Sequence, residues 1–180
     1  MDSTHALDRF LAGVERRAFV TARIATGNPD DALDLVQEAM MQLVRRYAGH
    51  DAQEWGALFH RILQNRIQDW RRRTRVRNRW RAWFDARDED EAADPVAAIA
   101  VSGGPGPQEQ AASTGAMAAL EAALRTLPAR QQQAFLLRAW EGLDVEQTAR
   151  AMGCAAGSVK THYSRALHAL RELLEDHWGD

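Results

Sequence analysis

The chain has 180 residues, of which 46% are hydrophobic, and carries 23 basic side chains against 25 acidic ones. This composition is sufficient for one or two small globular domains, and no apolar run reaches the ~18–20 residues that a membrane span needs. The first residues lack the basic-then-apolar pattern of a secretory signal, and a single cysteine, Cys154, excludes an internal disulfide framework. We therefore expect a protein of the reducing cytoplasm with no membrane span.

The net charge of −2 hides an uneven distribution of charge along the chain. Residues 1–84 contain 15 arginines and 10 acidic residues, a net of +5, whereas residues 85–114 have a net of −6. Residues 115–180 are nearly neutral, with a net of −1. Because charges act within a Debye length of about 8–10 Å, a binding partner experiences each segment separately. The small net charge is therefore no argument against a nucleic-acid partner.

Helical periodicity dominates the first 84 residues, and no strand pattern interrupts it. The pattern predicts three amphipathic helices, with breaks at Gly27 and at residues 49–51. Asn28 is a typical N-cap residue and Pro29 a typical first helical residue, so the second helix is predicted to begin there. The apolar positions expected to be buried are Leu7, Phe10, Leu11, Val14 and Ala18 in the first helix, Leu33, Val36, Met40, Leu43, Val44 and Tyr47 in the second, and Trp55, Leu58, Phe59, Ile62, Leu63 and Trp70 in the third.

The third helix carries a concentration of positive charge. Nine arginines and one acidic residue, Asp69, lie between Arg61 and Arg81, and the apolar pattern continues here through Val76 and Trp80. Guanidinium groups neutralise phosphates, and aromatic rings can stack on unpaired bases, so this stretch favours nucleic-acid binding. A solvated helix face, an anionic membrane surface and a disordered tail are the alternatives. The apolar spacing argues for a folded element.

Periodicity stops at Asp85, where a run of acidic residues begins. Residues 102–107 (SGGPGP) cannot hold a helix because prolines and glycines disrupt it. We therefore interpret residues 85–113 as a flexible acidic Gly/Pro linker between two helical domains.

Helical periodicity resumes after the linker. A first helix is predicted up to Pro128, and a second ends before Gly142. Their expected apolar positions are Met117, Leu120, Leu124 and Leu127 in the first helix, and Phe135, Leu136, Ala139 and Trp140 in the second.

The last 40 residues have the pattern of a helix-turn-helix. Asp144 and Gln147 have the spacing of a capping box, and Gly153 suits the left-handed conformation that ends a helix. A longer helix is predicted from about residue 157 to residue 174. In a helix-turn-helix this second helix enters a major groove of DNA. An ordinary helical hairpin with a solvated polar face is the alternative. The polar residues that the helix offers near its start are Ser158, Lys160, Thr161, His162, Ser164 and Arg165.

The sequence contains no pattern typical of a catalytic or metal site. His162 and His168 are six residues apart, which does not place two ligands on one helix face, and Cys154 has no second thiol beside it. Residues 103–107 lack the Lys-Ser/Thr pair of a phosphate-binding loop. We expect no enzymatic activity, no metal and no cofactor.

Taken together, these segments resemble a bacterial RNA polymerase sigma factor of the extracytoplasmic-function (ECF) class. Residues 31–40 (DALDLVQEAM) are similar to the helix with which the family binds core polymerase. Residues 58–65 (LFHRILQN) and 69–72 (DWRR) are similar to its helix for promoter melting and −10 recognition. The stretch from LPARQ at 127–131 to RAL at 165–167 resembles its −35-binding domain.

The resemblance implies an all-α protein with three parts. These are an N-terminal domain at residues 1–84 for polymerase binding, −10 recognition and melting, a linker at 85–113, and a C-terminal helix-turn-helix domain at 114–180 for −35 recognition. Core RNA polymerase and promoter DNA are the implied partners, and an anti-sigma factor is a further one. The implied core-polymerase-binding residues are Asp34, Gln37, Glu38, Met41 and Arg45; the −10 residues are Trp55, Arg61, Asn65, Arg66, Arg71, Arg72 and Arg73; and the −35 residues are Ser158, Lys160, Thr161, His162, Ser164 and Arg165.

The chain departs from the family pattern at two positions. Leu58 stands where the family often has tryptophan, and the nearest tryptophan here is Trp55, which affects the shape of the loop expected to capture a −10 base. Ala155 stands where a helix-capping residue is common. The alternative function is a stand-alone helix-turn-helix regulator whose N-terminal domain senses a signal or mediates dimerisation.

Overall fold

A computed structural model of the protein describes residues 3–88 and 111–178, with side chains over 4–83 and 115–175. Every regular element in these ranges is helical, which confirms the all-α prediction. Residues 89–110, which make up most of the predicted linker, lie outside the described residues. The predicted flexibility of the linker therefore stays a prediction. The helices are α1 (Ser3–Thr26), α2 (Pro29–Tyr47), α3 (Ala52–Asp88), α4 (Ala111–Thr126), α5 (Ala129–Phe135), α6 (Val145–Met152) and α7 (Ala156–Trp178), and a π-helical turn (Leu136–Trp140) follows α5 directly.

The turn between α1 and α2 forms as the sequence predicts. Gly27 adopts a φ of +72°, a left-handed conformation that glycine accepts without a steric penalty. The Asn28 Oδ1 atom accepts hydrogen bonds from the backbone N–H groups of Asp30 (2.8 Å) and Asp31 (3.1 Å). These two bonds satisfy donors that the first turn of α2 cannot pair internally.

Helices α1, α2 and α3 form an N-terminal unit around one apolar core, in which Leu43, Phe59 and Leu63 are fully buried. Two predicted core positions on α2 are wrong: Leu33 is 42% exposed and Val44 is 43% exposed. The physical reason is that small side chains, Ala32 and Ala39 among them, allow α2 to approach its neighbours along a different face. The buried residues of α2 are Ala32, Leu35, Val36, Ala39 and Leu43.

The C-terminal unit consists of α4–α7 and the π-helical turn, and it contains two apolar clusters. Helix α7 contributes Val159, Ala166, Leu170 and Leu174 to these clusters. Three other predicted core positions are wrong, because Met117, Ala139 and Trp140 are exposed.

The helix-turn-helix has the predicted caps. The Asp144 carboxylate accepts from the Gln147 backbone N–H (2.7 Å), and the Gln147 side chain accepts from the Asp144 backbone N–H (3.0 Å). Gly153 ends α6 with a φ of +62°. This reciprocal cap and the left-handed glycine fix where α6 begins and where the turn to α7 starts.

The two units pack against each other. Ile24 of α1 is 4% exposed and belongs to a core cluster made otherwise of residues from α4 to α7. Helix α6 lies against α3, and the π-helical turn lies against α1. No helix in the two described ranges is long and apolar enough to cross a bilayer.

Candidate polymerase and nucleic-acid interfaces

A polar stripe runs along the solvent side of α2. Asp34, Gln37, Glu38, Met41 and Arg45 are all exposed, and their spacing places them on neighbouring turns of one helix face. The structure therefore brings together the whole set that the resemblance implies for polymerase binding. We call these five residues the α2 stripe.

Exposed apolar side chains lie beside the α2 stripe. Leu33 and Val44 are 42% and 43% exposed, although periodicity predicted both in the core, and they adjoin Met41 of the stripe, which is 48% exposed. An apolar patch flanked by charged groups is typical of a protein-docking surface. The sequence already indicated this patch, because the second helix has more apolar residues than one helix face can bury.

The α2 stripe is joined to α3 through Arg66. This side chain lies 3.1 Å from a Glu38 carboxylate oxygen and donates to the Gln42 side chain at 2.9 Å. Arg66 was expected to contact −10 DNA, whereas here its guanidinium group is occupied by these two partners on α2.

Trp55 is a core residue in this structure. It is 3% exposed, its indole N–H donates to the Tyr47 carbonyl (3.0 Å), and its ring lies 6.0 Å from that of Phe10. The expectation that Trp55 contacts −10 DNA does not fit this position, because the ring is closed off from solvent. Its hydrogen bond instead joins the end of α2 to the start of α3.

The remaining predicted −10 residues lie along α3. Arg61, Asn65, Arg72 and Arg73 are exposed, and Arg72 pairs with Asp69 at 3.0 Å. A row of cations beside an exposed amide can neutralise phosphates and hydrogen-bond to a nucleic-acid strand.

Arg71 differs from its neighbours because the C-terminal unit covers it. Its guanidinium group donates to the Gln132 side chain at 2.5 Å. Burial, together with the positive charge of Arg75, lowers the pKa of Arg71. The cation therefore lies in a partly desolvated position between the two units, where it is not available to a phosphate.

The polar face of α7 is open to solvent. Lys160, Thr161, Ser164 and Arg165 are exposed, whereas Ser158 and His162 are half-buried. These side chains supply the donors and the cations that reach phosphates and base edges in a major groove.

Helix α7 is supported from behind by α5 and the π-helical turn. Tyr163 stacks on Phe135 with 6.3 Å between ring centroids, and the Arg138 guanidinium lies 5.7 Å from the Tyr163 ring centroid. Arg130 donates to the Met152 carbonyl (2.9 Å) at the end of α6. Tyr163 therefore positions α7 and does not belong to the exposed polar face.

A buried carboxylate, Glu141, joins the two units. It accepts a hydrogen bond from the Thr21 hydroxyl (2.6 Å), and its other oxygen lies 3.7 Å from His60 Nε2 and 3.9 Å from Arg17 Nε. Burial raises the pKa of Glu141 to about 7, against the opposing effects of Thr21 and Arg17. Burial, and secondarily Arg17, lowers the pKa of His60 to about 4, so His60 is neutral at pH 7 and the two residues do not form an ion pair. No sequence pattern indicated this contact.

Comparison with known families assigns each unit. The profile described as Sigma-70 region 2 matches residues 10–77, and the profile described as Sigma-70, region 4 matches residues 117–170. The first match falls on α1–α3, and the second on α4–α7.

Individual relatives cover most of the chain. The RNA polymerase sigma-E factor of Streptomyces avermitilis is 32% identical over 155 residues, which is 86% of this chain and 77% of that protein. The ECF RNA polymerase sigma factor EcfG of Rhodopseudomonas palustris is 33% identical over 173 residues, covering 93% and 83% of the two chains. Among solved structures, the sigma factor RpoE of Bartonella quintana, crystallised with the anti-sigma factor NepR, matches with a TM-score of 0.61 and 26% identity, covering 93% of this chain and 96% of that one.

A two-unit helical fold with these matches defines a sigma-70-type transcription initiation factor. Within that class, the chain belongs to the ECF family of RNA polymerase sigma factors. It binds core RNA polymerase and directs initiation at specific promoters, and the stand-alone regulator is not favoured.

Proposed function

We propose that three surfaces of the protein have separate roles in transcription initiation. The α2 stripe docks on core polymerase, the exposed residues of α3 bind the −10 strand during melting, and the polar face of α7 reads the −35 element. The observation that carries this assignment is the exposure of the α2 stripe as one continuous face, flanked by apolar side chains that no other part of the described chain covers.

The proposed −10 surface consists of Arg61, Asn65, Arg72 and Arg73. Their exposed guanidinium and amide groups support contacts to the backbone and bases of a separated strand. Arg66 and Arg71 can join this surface only after they leave Glu38 and Gln132. Trp55 is not part of it, and its role is to hold the loop that precedes α3.

The proposed −35 surface consists of Ser158, Lys160, Thr161, His162, Ser164 and Arg165. The cap at Asp144 and the packing of Tyr163 support it by fixing α7 relative to α6. Since this surface offers only two permanent cations, most of its discrimination must come from hydrogen bonds to base edges.

Further parts of the proposal concern partners and location. The protein supplies specificity and melting, while bond formation is left to the polymerase, and it acts in the cytoplasm, where the polymerase acts. Because the Bartonella quintana relative was crystallised with an anti-sigma factor, we also propose that an inhibitor of this kind binds the present chain.

The test of this proposal is a charge-reversing double variant, Asp34→Arg with Glu38→Arg. Both positions are exposed, and the Glu38–Arg66 pair has about 40% exposure on each side, so its loss costs at most ~1 kcal/mol of stability. We expect the double variant to fold normally and to bind core polymerase at least tenfold more weakly, measured by fluorescence anisotropy of the labelled protein.

The matched control is Asp8→Arg with Glu15→Arg, which makes the same charge change at exposed positions of α1. The control should bind core polymerase as the wild type does. Wild-type affinity of the Asp34/Glu38 variant would show that polymerase does not dock on the α2 stripe.

A further inference from the structure

A small basic cavity lies where the end of α1 meets α3, α4 and α5, and we propose that it binds a phosphorylated small molecule. The ligand is a compact anion with two or more negative charges, of the class that includes nucleotides and inorganic pyrophosphate. The site is separate from the α2 stripe and from the polar face of α7, and the inference does not depend on the roles proposed for those surfaces.

The wall of the cavity is positively charged. The cavity has a volume of about 360 Å³, and three arginines line it. Arg71 and Arg75 are four residues apart, which places both on one face of α3, and Arg125 comes from the last turn of α4. No aspartate or glutamate of the described chain lines the cavity. The charge of the wall is therefore not balanced from within.

Arg125 has an unpaired donor in this wall. Its Nε atom is buried and has no hydrogen-bond acceptor within the part of the chain that the structure describes. The ion pairs found there include neither Arg75 nor Arg125. Because buried donors in native proteins are nearly always paired, an oxygen atom from outside the chain is the partner that Arg125 requires.

Arg71 adds positive potential to the cavity without being free to bind. Its guanidinium group is held by the side chain of Gln132. Burial, and secondarily the nearby charge of Arg75, lowers the pKa of Arg71. Like charges that repel each other in a partly desolvated wall are stabilised by an anion placed beside them.

A phosphate group matches the two arginines that remain available. A planar guanidinium group donates two parallel, charge-assisted hydrogen bonds to phosphate oxygens, which a point charge cannot do. The guanidinium groups of Arg75 and Arg125 together carry the charge that a doubly ionised phosphate requires. A singly charged anion would leave the cavity positive.

The size of the cavity selects a small molecule. A volume of 360 Å³ is near the lower end of the range of about 300–1,000 Å³ that is typical of ligand pockets. A nucleic-acid duplex cannot enter a space of this size. Ile24 and Leu127, which also line the cavity, form an apolar wall suited to the uncharged part of a ligand, for which a nucleobase is one candidate.

The test is isothermal titration calorimetry of the full chain with inorganic pyrophosphate and with ADP, at matched ionic strength. We expect saturable binding of at least one probe at one site per chain. Tighter binding of ADP would assign the cavity to a nucleotide, and equal or tighter binding of pyrophosphate would assign it to the inorganic anion. The bound probe should also raise the midpoint of thermal unfolding, because it binds only the folded form.

The double variant Arg75→Gln with Arg125→Gln removes the two available guanidinium groups. It should bind the probe about tenfold or more weakly, since hydrogen bonds to charged groups are strong. Arg75 is exposed, so Arg75→Gln alone should fold even if the half-buried Arg125 cannot be replaced, and it should weaken binding about threefold or more. The matched control is Arg77→Gln with Arg171→Gln, exposed arginines outside the cavity wall, which should bind the probe as the wild type does.

Three results would overturn the inference. The first is that neither probe binds at millimolar concentration. The second is an equal loss of affinity in the control variant, which would show attraction to the overall charge of the protein. The third uses a single-stranded DNA oligonucleotide: if the double variant loses affinity for it while the wild type binds neither small probe, these arginines contact nucleic acid and not a small molecule. None of these results depends on the outcome of the α2 stripe experiment.

Discussion

Trp55 shows how a single residue changes role once its surroundings are known. In the sequence it stands three residues before Leu58, the position where the family often has tryptophan. In the fold its ring packs on Phe10 and its N–H bonds to the Tyr47 carbonyl, which makes it a structural element of the loop. The period of a helix places such a residue on a face, but it does not say whether a neighbouring helix covers that face.

Substitution of Trp55 should therefore act on stability first. Trp55→Phe keeps an aromatic ring and removes the hydrogen bond, so we expect a loss of about 1–2 kcal/mol in the free energy of unfolding. Trp55→Ala leaves a large cavity and should cost about 3–5 kcal/mol. Urea unfolding followed by circular dichroism measures both. A Trp55→Ala variant with wild-type stability and a selective loss of −10 binding would instead return Trp55 to the DNA surface.

Glu141 and His60 should impose opposite pH dependences on stability. Burial raises the pKa of Glu141 from 4.5 to about 7. Between these pH values the folded form holds a proton that the unfolded form has released. The contribution of Glu141 to the free energy of unfolding is therefore lost as pH rises from 4.5 to 7. Burial lowers the pKa of His60 from 6.5 to about 4, so stability is lost as pH falls from 6.5 to 4. Over pH 4.5–6.5 the two effects oppose each other.

Single substitutions should separate these two effects. Relative to the wild type, Glu141→Gln should gain stability as pH rises from 4.5 to 7, and His60→Gln should gain stability as pH falls from 6.5 to 4. The measurement is the urea midpoint at fixed ionic strength across that range. Differences from the wild type that stay constant with pH would show that neither group has the shifted pKa.

At the scale of helices, end signals were predictable from sequence, whereas the buried faces were less so. The caps at Asn28 and Asp144 formed as expected because they depend only on residues a few positions apart. Leu33 and Val44 were placed in the core wrongly, because periodicity counts apolar residues and does not record that Ala32 and Ala39 let helices approach closely. An apolar residue left exposed in this way is a sign of an interface.

Helix α7, which we propose reads the −35 element, gives a prediction at this scale. Arg165→Ala should weaken binding of the polymerase-bound protein to promoter DNA by about 5- to 150-fold, since a specific base contact contributes ~1–3 kcal/mol. Footprinting should show the loss of protection at the −35 element. Arg171→Ala, a second exposed arginine of α7 six residues further on, should have little effect. If Arg165→Ala lowers the affinity equally for DNA with a scrambled −35 element, Arg165 contacts a phosphate and not a base.

At the scale of the whole molecule, the small net charge of −2 is the sum of unlike parts. The sequence identified a basic N-terminal unit, an acidic linker and a nearly neutral C-terminal unit. It did not show that the units pack together, because Ile24 has the same apolar character whichever core receives it, and because Glu141, Thr21 and His60 are far apart in the chain.

Run-off transcription on fragments of the source genome tests the central claim most directly. Core RNA polymerase alone should produce no discrete transcripts, and addition of the wild-type chain should produce transcripts with defined start sites. The Asp34→Arg, Glu38→Arg variant should fail to do so. If core polymerase with the folded wild-type chain starts at no promoter on any fragment, this protein is not an initiation factor.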